Sequence, residues 1–123
     1  MKKLEILIIV SAILLAGYML VHNTYTKDYT CKVPIHSQEG VMITVEIDYT
    51  ANFGYDPFRD KYICTRSIIE HEIRFDSVFR SLEDYKNRSE YINLALSSKI
   101  KEEISKYFPR TKFKINSITF YIS

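Results

Sequence analysis

The sequence predicts an α+β protein: an N-terminal apolar helix over residues 1–25, then one small domain over residues 26–123 with an antiparallel or mixed sheet and two main helices. Three observations carry this. Ile6 to Val21 holds no charged residue. Tyr29 to His36 and Val41 to Thr50 alternate apolar and polar side chains with the period of a strand. From Asn87 to Phe108, apolar residues recur every fourth position, the spacing of one helical face.

As a helix from Leu4 to Tyr25, the first segment would be ~33 Å long, about the thickness of a bilayer hydrocarbon core. Two lysines before a short apolar run also describe a cleaved secretory signal, which wants small residues at −3 and −1 of the cleavage site. Leu15 with Gly17 and Val21 with Asn23 both fail that pattern. An uncleaved signal-anchor is therefore expected, with Tyr18 and Tyr25 near the outer interface, where amphipathic rings are favoured. Lys2, Lys3 and the α-amino group precede the run, and only Lys27 and Lys32 follow it closely. The positive-inside bias then puts the N-terminus in the cytoplasm and the domain on the periplasmic or extracellular side of the inner (plasma) membrane.

Residues His22 to Asp28 read as a short polar stalk. In the first strand Tyr29, Cys31, Val33 and Ile35 share one phase, and Pro34, which cannot donate a ladder hydrogen bond, marks an edge or a bulge. Ser37 to Gly40 is the turn, with Gly40 available for positive φ. The next strand is the clearest, Val41, Ile43, Val45, Ile47 and Tyr49 on one side and Met42, Thr44, Glu46, Asp48 and Thr50 on the other. Asp56-Pro57 reads as a helix start with Pro57 at the first helical position.

Residues Ser67 to Leu82 fit two periods. Ile69, His71, Ile73 and Phe75 suit a strand; Ile68, Phe75, Val78, Phe79 and Leu82 suit a helix, which the interleaved charges favour. The last helix begins at a capping pair, Asn87 with Glu90, buries Ile92, Leu96, Ile100, Ile104 and Phe108, pairs Glu102 with Lys106, and ends at Pro109. In the closing strand Phe113 and Ile115 share one phase and Ile118, Phe120 and Ile122 the other, so a bulge is expected at Asn116-Ser117.

Composition narrows the function. Lys+Arg 17 against Asp+Glu 15 gives a net charge of +2, too weak a field to gather nucleic acid. Cys31 and Cys64 would both lie in an oxidising compartment and are a candidate disulfide closing a loop of about thirty residues; two buried thiols are the alternative. Either would need an activating base to act as a nucleophile, and the only histidines, His22, His36 and His71, are scattered. His71-Glu72 lacks the second histidine of a zinc-protease helix, Phe75 standing in its place, and reads as a partly buried structural histidine. His22 and His36 have no ligand-spaced companions. Glu70, Glu72, Glu102 and Glu103 read as solvated helix faces. The cluster Lys106, Arg110, Lys112 and Lys114 would meet solvent, an acidic partner or anionic lipid headgroups. Asn87-Arg88-Ser89 matches a glycosylation acceptor pattern. No enzyme, cofactor or metal site is expected.

Taken in order, SQEGVMITVEIDYTANF (Ser37 to Phe53), Asp56-Pro57, RSEYINLALSSKIKEEISKYF (Arg88 to Phe108) and KFKINSITF (Lys112 to Phe120) behind a single anchor resemble the SPFH or band-7 domain of stomatins, prohibitins and flotillins. The resemblance implies a non-catalytic domain that scaffolds or regulates other membrane proteins, with SPFH-family members, a membrane AAA protease or further copies of the chain as partners. The family's long C-terminal coiled coil has no counterpart before Ser123, which argues against closed cages. A small bitopic inhibitor or immunity-type factor of phage or mobile-element origin, recognising a lytic or toxic protein, is the second expectation.

Overall fold

The computed structural model describes residues 2–77 and 80–122. The element order is α1 (Lys2–Tyr25), β1 (Thr26–His36), β2 (Met42–Asn52), α2 (Asp60–Ser77), α3 (Leu82–Asn87), α4 (Ser89–Tyr107) and β3 (Lys112–Ile122). The chain is thus α+β, as the patterning predicted. β1, β2 and β3 form one antiparallel sheet in that order.

The apolar side chains of α1 from Leu4 to Leu20 stand exposed along its length. No stalk follows it. Helix gives way to strand between Tyr25 and Thr26, and Thr26 to Asp28 pair with Asn52 to Thr50. Polar side chains hold this extension: Thr50 Oγ1 donates to Asp28 Oδ1 (2.5 Å) and Asn52 Nδ2 to Thr26 Oγ1 (3.2 Å). These groups lie more than twenty residues apart in sequence, so the local polarity of residues 22–28, which reads as a stalk, does not reveal the pairing.

The hairpin turn has Gly40 at φ 78, with Gly40 N donating to Ser37 O (2.9 Å) and Ser37 N to Val41 O (2.9 Å). On β3 the expected bulge is present. Asp48 faces Ser117 while Tyr49 faces Ile115, leaving Asn116 as the extra residue. That slip turns Phe113 and Ile115, and beyond it Ile118 and Phe120, towards the core, although Ile122 stays 39% exposed.

Helices cover one face of the sheet. The core joins Val33, Ile35, Ile43, Val45, Ile47 and Tyr49 from the strands to Ile69 and Ile73 of α2 and to Ile92, Leu96, Ile100 and Ile104 of α4. An aromatic group closes the end near α1, where Tyr29 stacks on Tyr49 at 5.2 Å and touches Phe53 and Tyr62.

The helix boundaries depart from the sequence reading. α2 is one helix from Asp60, and Pro57 lies outside it. Asp56 reaches forward to cap it, Oδ2 accepting from Lys61 N (3.1 Å) and Tyr62 N (3.3 Å). Its buried face is Thr65, Ile69 and Ile73, whereas Phe75 is exposed; Val78 and Phe79 lie outside the described residues. Asn87 is not a cap either. It ends α3, and the backbone at Arg88 (φ −122, ψ 27) separates α3 from α4. The capping box belongs to Ser81, whose Oγ accepts from Asp84 N (3.2 Å) while Asp84 Oδ2 accepts from Ser81 N (3.2 Å).

Candidate functional site

The uncovered face of the sheet is polar and internally satisfied. Asp48 accepts from Thr30 Oγ1 (2.7 Å) and Ser117 Oγ (3.1 Å), and Glu46 accepts from Tyr121 Oη (2.8 Å). Asn116 Nδ2, on the bulge, donates to Thr50 Oγ1 (2.8 Å). The Glu46 carboxylate holds the Tyr121 phenol above its ordinary range, so the tyrosine keeps its proton and acts as a donor. These bonds stitch three strands together. β3 and β1 are the two edges of the sheet, and they differ. β1 carries Pro34, Lys27 and Lys32, features that blunt an edge, while β3 has no charged residue from Ile115 to Ile122.

The second surface is where α1 meets the domain. A cleft of about 280 Å³ is lined by Tyr18 of α1, by Asn52, Phe53 and Gly54 at the end of β2, by Lys61 of α2, and by Arg110, Thr111 and Lys112 at the start of β3. Lys112 Nζ donates to Tyr18 Oη at 3.0 Å and lies 5.6 Å from the centre of its ring. Lys61 Nζ donates to Phe53 O (3.2 Å). Among the described residues, three cations therefore line one cleft and no carboxylate side chain does. An adjoining cavity of about 410 Å³, sharing Phe53 and Gly54, is walled by Tyr25, Tyr29, Tyr55 and Tyr62, with Arg59 held 4.5 Å over the Tyr62 ring.

Of the basic cluster read from sequence, Arg110 and Lys112 enter this cleft, and Lys114 lines a third cavity with Thr26, Thr50 and Asn116. Lys106 does not, being paired with Glu103 (2.9 Å) and Glu102 (4.0 Å) on α4. Lys61 was missed because α2 delivers it from fifty residues away. Cys31 is a free thiol in the core and Cys64 a free, half-buried thiol on α2, so no disulfide joins them in this structure. Burial pushes the Cys31 thiol up, with Glu70 adding to the shift, which favours thiol over thiolate. His71 is exposed and stacked on Phe75 at 6.2 Å, not partly buried, because the buried side of α2 is centred on Ile69 and Ile73. His36 is exposed at the end of β1, and His22 lies in α1. Glu70 pairs with Arg66 (3.2 Å) on the flank of α2. Among the described residues no three His, Cys, Asp or Glu side chains gather closely enough to hold a metal ion.

Lys2–Leu20 is long and apolar enough to cross a membrane by length and composition, with a mean hydropathy of 2.0. No protein-family model matches the chain, and no curated protein matches it.

Proposed function

We propose that the protein is a non-catalytic, single-pass membrane protein whose domain presents its sheet to other membrane proteins. The carrying observation is that α1 passes directly into β1 at Tyr25 and Thr26, and the Tyr18 to Lys112 bond fastens the helix to the opposite edge of the sheet at the same end, Thr26, Asn52 and Lys112 lying in one row across the three strands. An apolar helix attached in this way fixes the orientation of the sheet relative to a bilayer. The uncharged β3 edge then offers unpaired backbone groups beside the membrane, a template for strand addition by a partner. The resemblance to SPFH domains makes an SPFH-family assembly, or the membrane AAA protease such assemblies govern, the partner class to test first. The proposed orientation, from the positive-inside bias, has the N-terminus in the cytoplasm and the domain outside.

A photocrosslinking residue at Thr119 or Tyr121, both exposed on β3, tests the reading in intact cells. Capture of membrane proteins from these positions, and not from Ser98 on the exposed side of α4, is the expected result. Recovery of a lytic enzyme or toxin would instead identify an inhibitor. Crosslinks confined to lipid at all positions would remove the scaffolding function.

A further inference from the structure

We infer that the cleft between Tyr18, Lys61, Arg110 and Lys112 is a binding site for the headgroup phosphate of an anionic phospholipid. This deepens the membrane reading above and rests on it. A helix over Lys2–Leu20 would span ~28 Å, about one hydrocarbon core, so its end marks the level of the interface. Tyr18 sits one half-turn before that end, and its hydroxyl is the atom that receives the Lys112 proton donor at 3.0 Å. The base of the domain is therefore held at headgroup depth by a bond visible in the structure, not by the mere presence of a nearby helix.

The chemistry of the lining selects the ligand. Each lysine ammonium has three N–H donors. Lys112 directs one to Tyr18 and Lys61 one to the Phe53 carbonyl, which leaves both with donors for a bound oxyanion. Arg110 adds a planar guanidinium suited to paired bonds with phosphate oxygens. Thr111 and Asn52 supply neutral polar groups, and among the described residues no Asp or Glu lines the cleft, Asp56 lining the adjoining cavity instead. Its neighbourhood is interfacial as well: the loop leading from the cleft to α2 carries Tyr55 and Phe58, 78% and 81% exposed. Large rings left uncovered beside cations are costly in water and favoured in the headgroup region. An acidic protein surface would match the charge and can also cover rings, so it is the level set by α1 beside the cleft that favours the lipid.

The chain contains no tryptophan, so F58W gives a single fluorescent reporter in the full-length protein. It is reconstituted in nanodiscs of phosphatidylglycerol or of phosphatidylcholine alone, and native mass spectrometry counts retained lipid on the same samples. The expected result is a blue-shifted emission quenched by lipids brominated near the headgroup, with phosphatidylglycerol retained preferentially. In K61Q/R110Q/K112Q that preference should fall about fivefold per cation removed, and K61R/R110K/K112R should restore it. Solvent-like, unquenched emission from integrated protein would overturn the proposal, as would equal retention of both lipids by all variants. Preference lost equally in the Gln and the charge-preserving variants would overturn it too, by showing that shape and not charge governs retention. Failure of the chain to integrate into the bilayer at all would remove the anchor and this site with it.

Discussion

At the scale of single residues, Asp76 is the clearest point where electrostatics and stability meet. Its carboxylate accepts from Arg80 Nη2 (2.8 Å) and Nε (3.3 Å) and from Lys99 Nζ (3.1 Å), tying α2 to α4 and to the chain leading into α3. Burial alone would raise its pKa, but the hydrogen bonds from Arg80 and Lys99 outweigh burial and hold the carboxyl below the ordinary range. A depressed folded value means that the stabilisation is fully present above the unfolded value, about 3.9 for Asp, and is lost as pH falls through the folded one. Glu39 and Asp84 behave alike, each held down mainly by a backbone N–H, from Leu82 and Ser81 respectively. Denaturant unfolding in detergent, followed by circular dichroism, should therefore show stability falling between about pH 5 and pH 3. Asp76→Asn should lower stability at pH 7 by about 1–2 kcal/mol, discounted for the partial exposure of Lys99, and should flatten the acid limb without abolishing it. An unchanged acid limb in Asp76→Asn would show that the cluster contributes nothing to folding.

At the scale of elements, α4 is defined by one row of side chains. Ile92, Leu96, Ile100 and Ile104 are all buried, and steps of four drift about 40° each from a 3.6-residue turn. Such a row runs oblique to the helix axis, the direction of the ridges that helices use in packing. Ile100 is completely buried and Leu94 is 71% exposed, so the two positions separate core from surface on a single helix. Ile100→Ala should cost about 2–4 kcal/mol and Leu94→Ala within about 0.5 kcal/mol in the same unfolding measurement. Comparable losses at both sites would mean that Leu94 is covered in the protein as it exists, which points to a bound partner on that side of α4. Rows of this kind are legible in the sequence, as is the bulge at Asn116, because a buried face forces a period and a break in phase must be absorbed somewhere. The boundaries are not. Asn87 with Glu90 and Ser81 with Asp84 both have the spacing of a capping pair, and only the break at Arg88 decides between them. Likewise, Thr26 to Asp28 become strand through partners on β2, and Lys61 joins Arg110 and Lys112 only once α2 packs beside the end of the hairpin. Local pattern encodes which side of an element is apolar; it does not encode which distant residue arrives next to it.

At the scale of the whole molecule, two ways of counting charge around α1 give opposite orientations. By sequence, Lys2 and Lys3 precede the apolar run, and Lys27 and Lys32 follow less closely. By structure, the fold places Arg59, Lys61, Arg110 and Lys112 around the C-terminal end of the same helix. If folded charge set the orientation, the domain would stay in the cytoplasm. Insertion, however, is decided on short flanking segments before the domain has folded, and longer regions translocate largely regardless of their charge. The cations at the domain base are too far along the chain to act at that stage, so the N-terminus should remain inside. A Cys64→Ser background leaves only the buried Cys31 and permits site-specific labelling. A membrane-impermeant maleimide should then label Thr119→Cys in intact cells and Leu4→Cys, which keeps both N-terminal lysines, only after lysis. The reverse pattern would mean that the basic base of the domain, once folded, overrides the two N-terminal lysines, and the phosphate site would then face the cytoplasmic leaflet. Labelling of both positions in a soluble fraction would mean that α1 does not hold the chain in a membrane.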